Sequence, residues 1–413
     1  MLLNILQNRN FLYLWSAQIL TQTSLNMLYY LLTIKVWEST QSNSAVSLLV
    51  LSFTLPAIFF GPIAGVLIDR WDTKKALIAT NLIRSLLILL FIFILKSPFS
   101  LLPLIFVISL VTQFFVPAEG SAIPGVVPKN HLLSANSLFT MTINVSMVVG
   151  FILSGPVVRL VGSSGAVIVV FICFLLATFL STQIPHIMGK SGGKGVVTIF
   201  HELYTALKFI WQNKNLRKAA LAITSVNAFI MTLSALGPGY VSQVLKMDVL
   251  DAGLILVAPG VLGIIIGGVI LSTFGRDWSE DFLVDLGFIV SGIILVLFSS
   301  FAPHRLGFMA PVLAILSMFT LGVFGSFVSA PATTILHKMT PEDLRGRIYG
   351  VVNTMVNGVS FTPILIAGGL ADLAGVGNVI AGFGVVLLFL GFLRARHYLE
   401  RWGKVVGGRG YRL

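Results

Sequence analysis

Two ionisable residues interrupt runs that are otherwise apolar: Arg84 in LIRSLLILLFIFIL and Glu119 in VTQFFVPAEGSAIPG. A charge at bilayer depth costs about 2.5–3.5 kcal/mol on insertion scales, so each such residue needs a partner or a task. Both lie about eight residues, or ~12 Å of helix, from the same edge of adjacent runs. Antiparallel neighbours would bring them to one depth. Two chemistries stay open. As a buried ion pair they would hold each other charged and leave Glu119 a poor proton carrier. Facing a cavity without the cation, Glu119 would exchange a proton near physiological pH, as a proton-coupling carboxyl must.

A second group lies in GPIAGVLIDRWDTKK, Gly61 to Lys75. Gly61 and Gly65 are four apart on one helix face, where small residues let another helix come close. Asp69 follows at the membrane edge, then Arg70, Lys74 and Lys75. A carboxylate so placed can accept from the free N–H groups that begin a neighbouring helix and meet the positive end of its dipole. Made in only one conformation, that contact is a latch. The plainer reading is a Gly-packed helix followed by ordinary surface cations.

A third group is polar and uncharged. Gln18, Gln22 and Asn26 recur at helical spacing, and Asn144, Asn227, Ser234, Asn353, Asn357 and Ser360 interrupt other apolar runs. Such spacing puts residues on one face. Singly, each is as well explained by an interhelical hydrogen bond of ~0.6 kcal/mol. Together they imply an amide-lined cavity with aromatic walls such as Tyr29 and Tyr30, suited to a bulky amphipathic solute. No GxxxxGK[ST] loop, His/Cys metal spacing or nucleophile–His–carboxylate set is present, and Cys173 is the single cysteine. No catalytic residue, metal or cofactor is expected, and the chain reads as a non-enzyme.

These residues must be positioned by the apolar runs themselves. The chain has 413 residues, 56% hydrophobic and 10% charged, with a mean hydropathy of +0.96. A soluble domain carries roughly 25% charged residues, so a soluble enzyme, a secreted disulfide scaffold and a nucleic-acid-binding domain are excluded. Apolar runs long enough for ~20-residue spans fall near 12–36, 45–69, 76–95, 99–127, 134–160 and 164–185, then 216–245, 250–274, 280–302, 306–336, 345–372 and 376–397. Their length predicts helices rather than the ~10-residue alternating strands of a barrel. The fold class is an all-α membrane protein of twelve transmembrane helices in two six-helix, pseudo-symmetric halves.

Orientation follows from the cations. Of 27 Lys and Arg, 21 fall on the face holding both termini, five (Lys35, Lys96, Arg159, Lys246, Arg305) on the other, and Arg84 in a span. The positive-inside rule puts both termini in the cytoplasm. The net charge of +12 is then topology and attraction to anionic lipid rather than a nucleic-acid patch. The expected organisation is an N-terminal bundle (1–185), a cytoplasmic linker with an amphipathic helix (186–215), a C-terminal bundle (216–397) and a basic tail (398–413). The acids Asp277, Glu280, Asp281 and Asp285 read as helix N-terminal charge.

The halves also repeat. Pro56 precedes Gly65 as Pro259 precedes Gly268, and Pro117–Ala118 recurs as Pro331–Ala332, each ahead of a Pro-initiated segment. Parallel six-helix repeats joined by a linker describe a secondary transporter whose halves rock about a midplane site.

Gly65, Leu67, Asp69, Arg70 and Lys74 resemble the signature loop of the major facilitator superfamily, Gly-x-Leu-Ala-Asp-Arg-x-Gly-Arg-Lys between the second and third helices. Asp72 stands where that pattern has Gly, and Thr73 where it has the second Arg, so Lys74 or Arg70 would carry the ion-pair relay. NRNFLYLW (Asn8–Trp15), PAEGSAIPGVVPKNHLLSAN (Pro117–Asn136) and LRGRIYGVVN (Leu344–Asn353) are similar to the branch containing the enterobactin exporter and macrolide efflux proteins. Gly150, Gly155 and Pro156 are similar to the Gly-Pro motif of proton-driven exporters, whose kink is held to seal the outer side. The resemblance implies export of a drug- or siderophore-like small molecule by alternating access. The proton gradient would be the energy source, and substrate, protons and membrane lipids the partners. A monomer in the bacterial cytoplasmic membrane is expected. Uptake, lipid flipping or a non-transporting receptor role on the same scaffold are the alternatives.

Overall fold

The computed structural model describes residues 5–68, 70–94, 97–187, 196–275, 278–300, 309–340 and 345–407. All regular structure among them is helical. The chain divides into two compact units, Met1–Thr205 with Asp248–Gly253, and Ala206–Met247 with Leu254–Leu413.

Unit 1 contains α1 (Arg9–Thr40), α2 (Asn43–Ile68), α3 (Thr73–Ile94), α4 (Pro98–Val126) and α5 (Leu132–Thr182). Local chemistry sets the ends. The Asn8 side chain accepts from the amides of Asn10 and Phe11 at 3.0 and 3.2 Å, capping α1. Pro98 begins α4, where its missing N–H costs nothing. α5 is two spans in one continuous stretch, broken where Gly162 takes φ 72°. That left-handed backbone suits glycine, and it falls between the two runs expected at 134–160 and 164–185.

Unit 2 contains α7 (Lys214–Gly239), α8 (Ala258–Phe274), α9 (Glu280–Ser300), α10 (Met309–Met339), α11 (Arg345–Ala374) and α12 (Val376–Gly407), and the division between units falls within α6 (Val196–Gln212). A π-helical turn, Tyr240–Val244, extends α7.

Packing inside each unit follows the same scheme. In unit 1, α1 packs on α5, α2 on α4, and α3 on α4 and α5. In unit 2, α7 packs on α11, α8 on α10, and α9 on α10 and α12. First-with-fifth, second-with-fourth and third-with-sixth pairing therefore occurs twice, which is the internal repeat expressed as structure. Among the described residues ten helical stretches are long and apolar enough to cross a membrane, one of them, Lys129–Thr182, with 54 residues. α1 is not among them, because its polar stripe (Gln18, Gln22, Asn26) dilutes its apolar content.

Of the glycines expected to admit a close neighbour, Gly150 and Gly155 do so, a Cβ there pressing on the Thr23 and Leu250 carbonyls, whereas Gly61 and Gly65 do not. A Cβ on Gly65 would meet nothing within 4 Å, and on Gly61 only an ordinary contact with Gln113. Further tight seams lie in unit 2. A Cβ on Gly322 of α10 would strike the Gly260 carbonyl of α8, and one on Gly263 would strike the Phe319 carbonyl. These are backbone-to-backbone contacts that small residues permit.

Candidate functional site

The centre of unit 1 holds both intramembrane charges. Arg84, 1% exposed on α3, donates from Nη2 to Asn81 Oδ1 at 2.6 Å, from Nε to the Thr80 carbonyl at 3.3 Å and from Nη1 to Thr112 Oγ1 at 3.5 Å. Its guanidinium lies 4.1 Å from the Phe115 ring centre and 4.9 Å from that of Phe174. Weak hydration and a planar face let arginine sit between aromatic rings where a lysine would not. Asn81 in turn meets Ser181 at 3.4 Å, so the cluster joins α3, α4 and the second span of α5.

Glu119 lies one turn beyond Phe115 on α4 and is 5% exposed. Its Oε1 is buried without a hydrogen-bond partner among the described residues, and no ion pair joins it to Arg84. Of the two readings open from sequence, the direct pair is not formed, because neutral acceptors and two π faces already satisfy the guanidinium. Glu119 is thus a buried carboxyl with one unpartnered oxygen, near a cation whose hydrogen bonds go to other groups. In the same unit, Tyr29 stacks on Phe53 at 4.4 Å and its hydroxyl meets Ser109 Oγ at 3.0 Å.

The amide residues separate into two kinds. Gln18 is fully buried and donates to the Phe139 carbonyl at 3.3 Å, beside a Trp15 Nε1–Thr142 bond of 2.8 Å. It therefore ties α1 to α5, while its Oε1 is buried without a hydrogen-bond partner among the described residues. Asn26 donates to the Gln22 carbonyl at 2.7 Å and packs at Gly150, where a Cβ would press on its own Cβ and on the Thr23 carbonyl. Asn144 is exposed, and its amide is satisfied by the Thr140 carbonyl of its own helix. With exposed Ser137 and Thr140 it forms an accessible polar stripe on unit 1. On unit 2, Asn227 is partly exposed and Ser234 exposed, each bonded to its own α7 backbone. The side chains of Asn353 and Asn357 lie outside the described residues.

At the loop expected for a latch, Asp69 likewise lies outside the described residues. Arg70 is exposed and Lys74 partly so. The organising residue is Asp72, the departure from the signature. Its Oδ1 accepts from the Lys75 amide at 3.1 Å, capping α3, and its Oδ2 meets His186 Nδ1 at 3.1 Å. Thr73 donates its amide to the Ile187 carbonyl at 3.0 Å, so the chain leaving α5 is fastened to this loop. Burial would raise the Asp72 carboxyl, but the Lys75 amide and His186 outweigh it and hold it below the ordinary carboxylate range.

Gly155 and Pro156 belong to a second fastening. A Cβ on Gly155 would strike the Leu250 carbonyl, and one on Gly253 the Phe151 carbonyl. Just beyond, Arg159 forks onto two carboxylates, Nη1 to Asp251 Oδ1 at 2.7 Å and Nη2 to Asp248 Oδ2 at 2.8 Å. The arginine hydrogen bond holds Asp248 below its ordinary range. In the sequence Arg159 is only one of five cations on its side, and an Asp-x-x-Asp turn 89 residues on carries no sign of its partner. In unit 2 the acids expected as helix-terminal charge do more, Asp277 lying outside the described residues. Ser279 caps α9 through the Phe282 amide at 3.3 Å, while Arg394 of α12 binds Asp285 at 2.7 Å and Asp281 at 3.4 Å.

Comparison with known proteins agrees with this architecture. The family model described as Major Facilitator Superfamily matches residues 14–363. Macrolide efflux protein A of Streptococcus pyogenes is 23% identical over 379 residues, covering 88% of this chain and 90% of that protein. The Uncharacterized MFS-type transporter YkuC of Bacillus subtilis (strain 168) is 33% identical over 192 residues, and the match spans only 44% of each chain. The crystal structure of the nucleoside transporter NupG superposes with a TM-score of 0.70 at 17% identity, over 93% of this chain and 98% of that one, a likeness of fold. Duplicated helix pairing, apolar spans and the family match along most of the chain lead to one conclusion: this is a multi-pass membrane protein belonging to the Major Facilitator Superfamily of transporters.

Proposed function

We propose that the protein is a proton-coupled exporter of an amphipathic small molecule, working by alternating access in a bacterial cytoplasmic membrane with both termini inside. The observation that carries the proton part is Glu119, a buried carboxyl oxygen without a partner beside an arginine that is satisfied elsewhere. A carboxyl so placed changes charge at low structural cost, since Arg84 keeps its own bonds in either state. The exposed polar stripes on each unit (Ser137, Thr140 and Asn144; Asn227 and Ser234) suit a bulky solute with few charges. Efflux as the direction rests on likeness to macrolide efflux protein A.

In this mechanism Glu119 exchanges a proton with the outer and inner media in turn, and substrate release and proton loading alternate. The test is transport in proteoliposomes carrying a pH gradient, with a macrolide as probe. Drug-stimulated proton movement is expected for the parent and not for Glu119→Gln, which should still bind the drug. Equal proton movement in both would remove Glu119 from the mechanism. Drug movement down the proton gradient's direction would favour uptake instead.

A further inference from the structure

Unit 2 carries a second feature, apart from the polar stripes and the intramembrane charges. A crevice of about 230 Å³ lies between the end of α9, the start of α10 and the π-helical end of α7, lined by Tyr240, Leu245, Phe298, Ala310, Ser317 and Thr320 among others. Two of its walls are open outward, for Leu297 is 47% and Leu316 54% exposed. All three elements lie in membrane-spanning stretches. From Ala310 to Thr320 the crevice runs ten residues along α10, about 15 Å. That is half of a ~30 Å hydrocarbon core, the depth of one leaflet.

Three observations distinguish it from a chance groove. Tyr240, 3% exposed and stacked on Phe298 at 4.4 Å, lines the crevice, yet its hydroxyl has no hydrogen-bond partner among the described residues. A phenol hydroxyl in a membrane-spanning stretch that no protein group satisfies is costly unless something else accepts from it. Tyr240 begins the π-helical turn that aims it there, and such turns recur at functional sites. The residue after Leu245 is Lys246, exposed and held at φ 55°, a conformation rare for a side chain of its kind.

We infer that this crevice is a phospholipid site: one acyl chain fills the apolar cleft, the ester carbonyl accepts from Tyr240, and the phosphate meets Lys246. The chemistry matches the occupant from end to end. Acyl chain is the medium at that depth, an ester is the acceptor a lipid carries at the inner edge of its headgroup, and an ammonium complements a phosphate.

Photoreactive phosphatidylglycerol, with a diazirine on one acyl chain, tests this in bilayers containing the full-length protein. Adducts mapped by peptide mass spectrometry should concentrate on the peptides carrying Tyr240–Leu245 and Ile294–Thr320. Yield there should exceed that on Ile264–Val269, which is equally open to lipid. Tyr240→Phe keeps the stacking and should lower crevice adducts about fivefold, the worth of one hydrogen bond. Ala310→Trp fills the cleft and should abolish them while leaving Ile264–Val269 labelling intact, which also reports folding. Equal labelling of both surfaces in the parent, or crevice labelling unchanged in Tyr240→Phe, would overturn the site. So would loss of crevice adducts on adding a macrolide, which would assign the cleft to transported solute.

Discussion

Residue chemistry in this protein is governed by how few charges it can leave unpaired in oil. Arg84 is accommodated because its donors find Asn81, Thr80 and Thr112 and its faces find Phe115 and Phe174. Phe115→Leu should therefore destabilise unit 1 by about 1–2 kcal/mol beyond the lost packing, the value of a desolvated cation–π contact, measured as a lower melting temperature in detergent. Outside the membrane, Asp72 offers a pH test. Its folded carboxyl titrates below the ordinary value of 3.8, so its contribution is present above pH 3.8 and is lost as pH falls through the lower folded value. Since His186 is largely solvent-exposed, the pair is worth under about 1 kcal/mol. Asp72→Asn should lower stability slightly at pH 7, and the difference from the parent should vanish at strongly acid pH. A difference that grows on acidification would remove Asp72 as the staple.

Helices in this protein are held at two kinds of joint, glycine seams and terminal charge forks. Gly322 and Gly263 bring the α8 and α10 backbones together, whereas a Cβ on Gly325 would meet nothing within 4 Å. Gly322→Ala should cost about 1–3 kcal/mol of stability as overpacking, while Gly325→Ala should be neutral or gain up to about 1 kcal/mol from lower backbone entropy. Thermal melts of the two variants side by side decide it. The fork at Arg159 secures segment 248–253, which is flanked on both sides by chain of unit 2. Arg159→Gln should raise proteolysis within 245–254 without shifting the melting temperature of unit 2. Unchanged cleavage would mean that the glycine contacts at Gly155 and Gly253 suffice. Element positions were largely legible beforehand: the gap between runs at 160–164 contains Gly162, and proline at 98 marks the start of α4. The seams of unit 2 were not. Gly61 and Gly65 have the right spacing, but spacing alone does not say which face of a helix meets another.

For the whole molecule, the orientation inferred from cations is open to direct test. With Cys173 replaced by Ser, Gly192→Cys should react with an impermeant maleimide only when the cytoplasmic side is accessible; labelling in intact cells would invert the topology. Composition and the length of the apolar runs by themselves determined that this chain lives in a bilayer and that those runs are helices, and matched Pro and Gly spacings showed that its halves repeat. The helical state of the runs follows from the cost of exposing polar backbone to lipid, which acts on each run separately and is written locally. Tertiary structure alone decided the rest: that Arg84 and Glu119 lie in one unit without an ion pair, that Gln18 is a helix tie, that Asp281 and Asp285 serve Arg394, and that Tyr240 faces a cleft without an acceptor. Each depends on which neighbour satisfies a polar group first, and that competition is settled only when helices far apart in sequence are packed side by side.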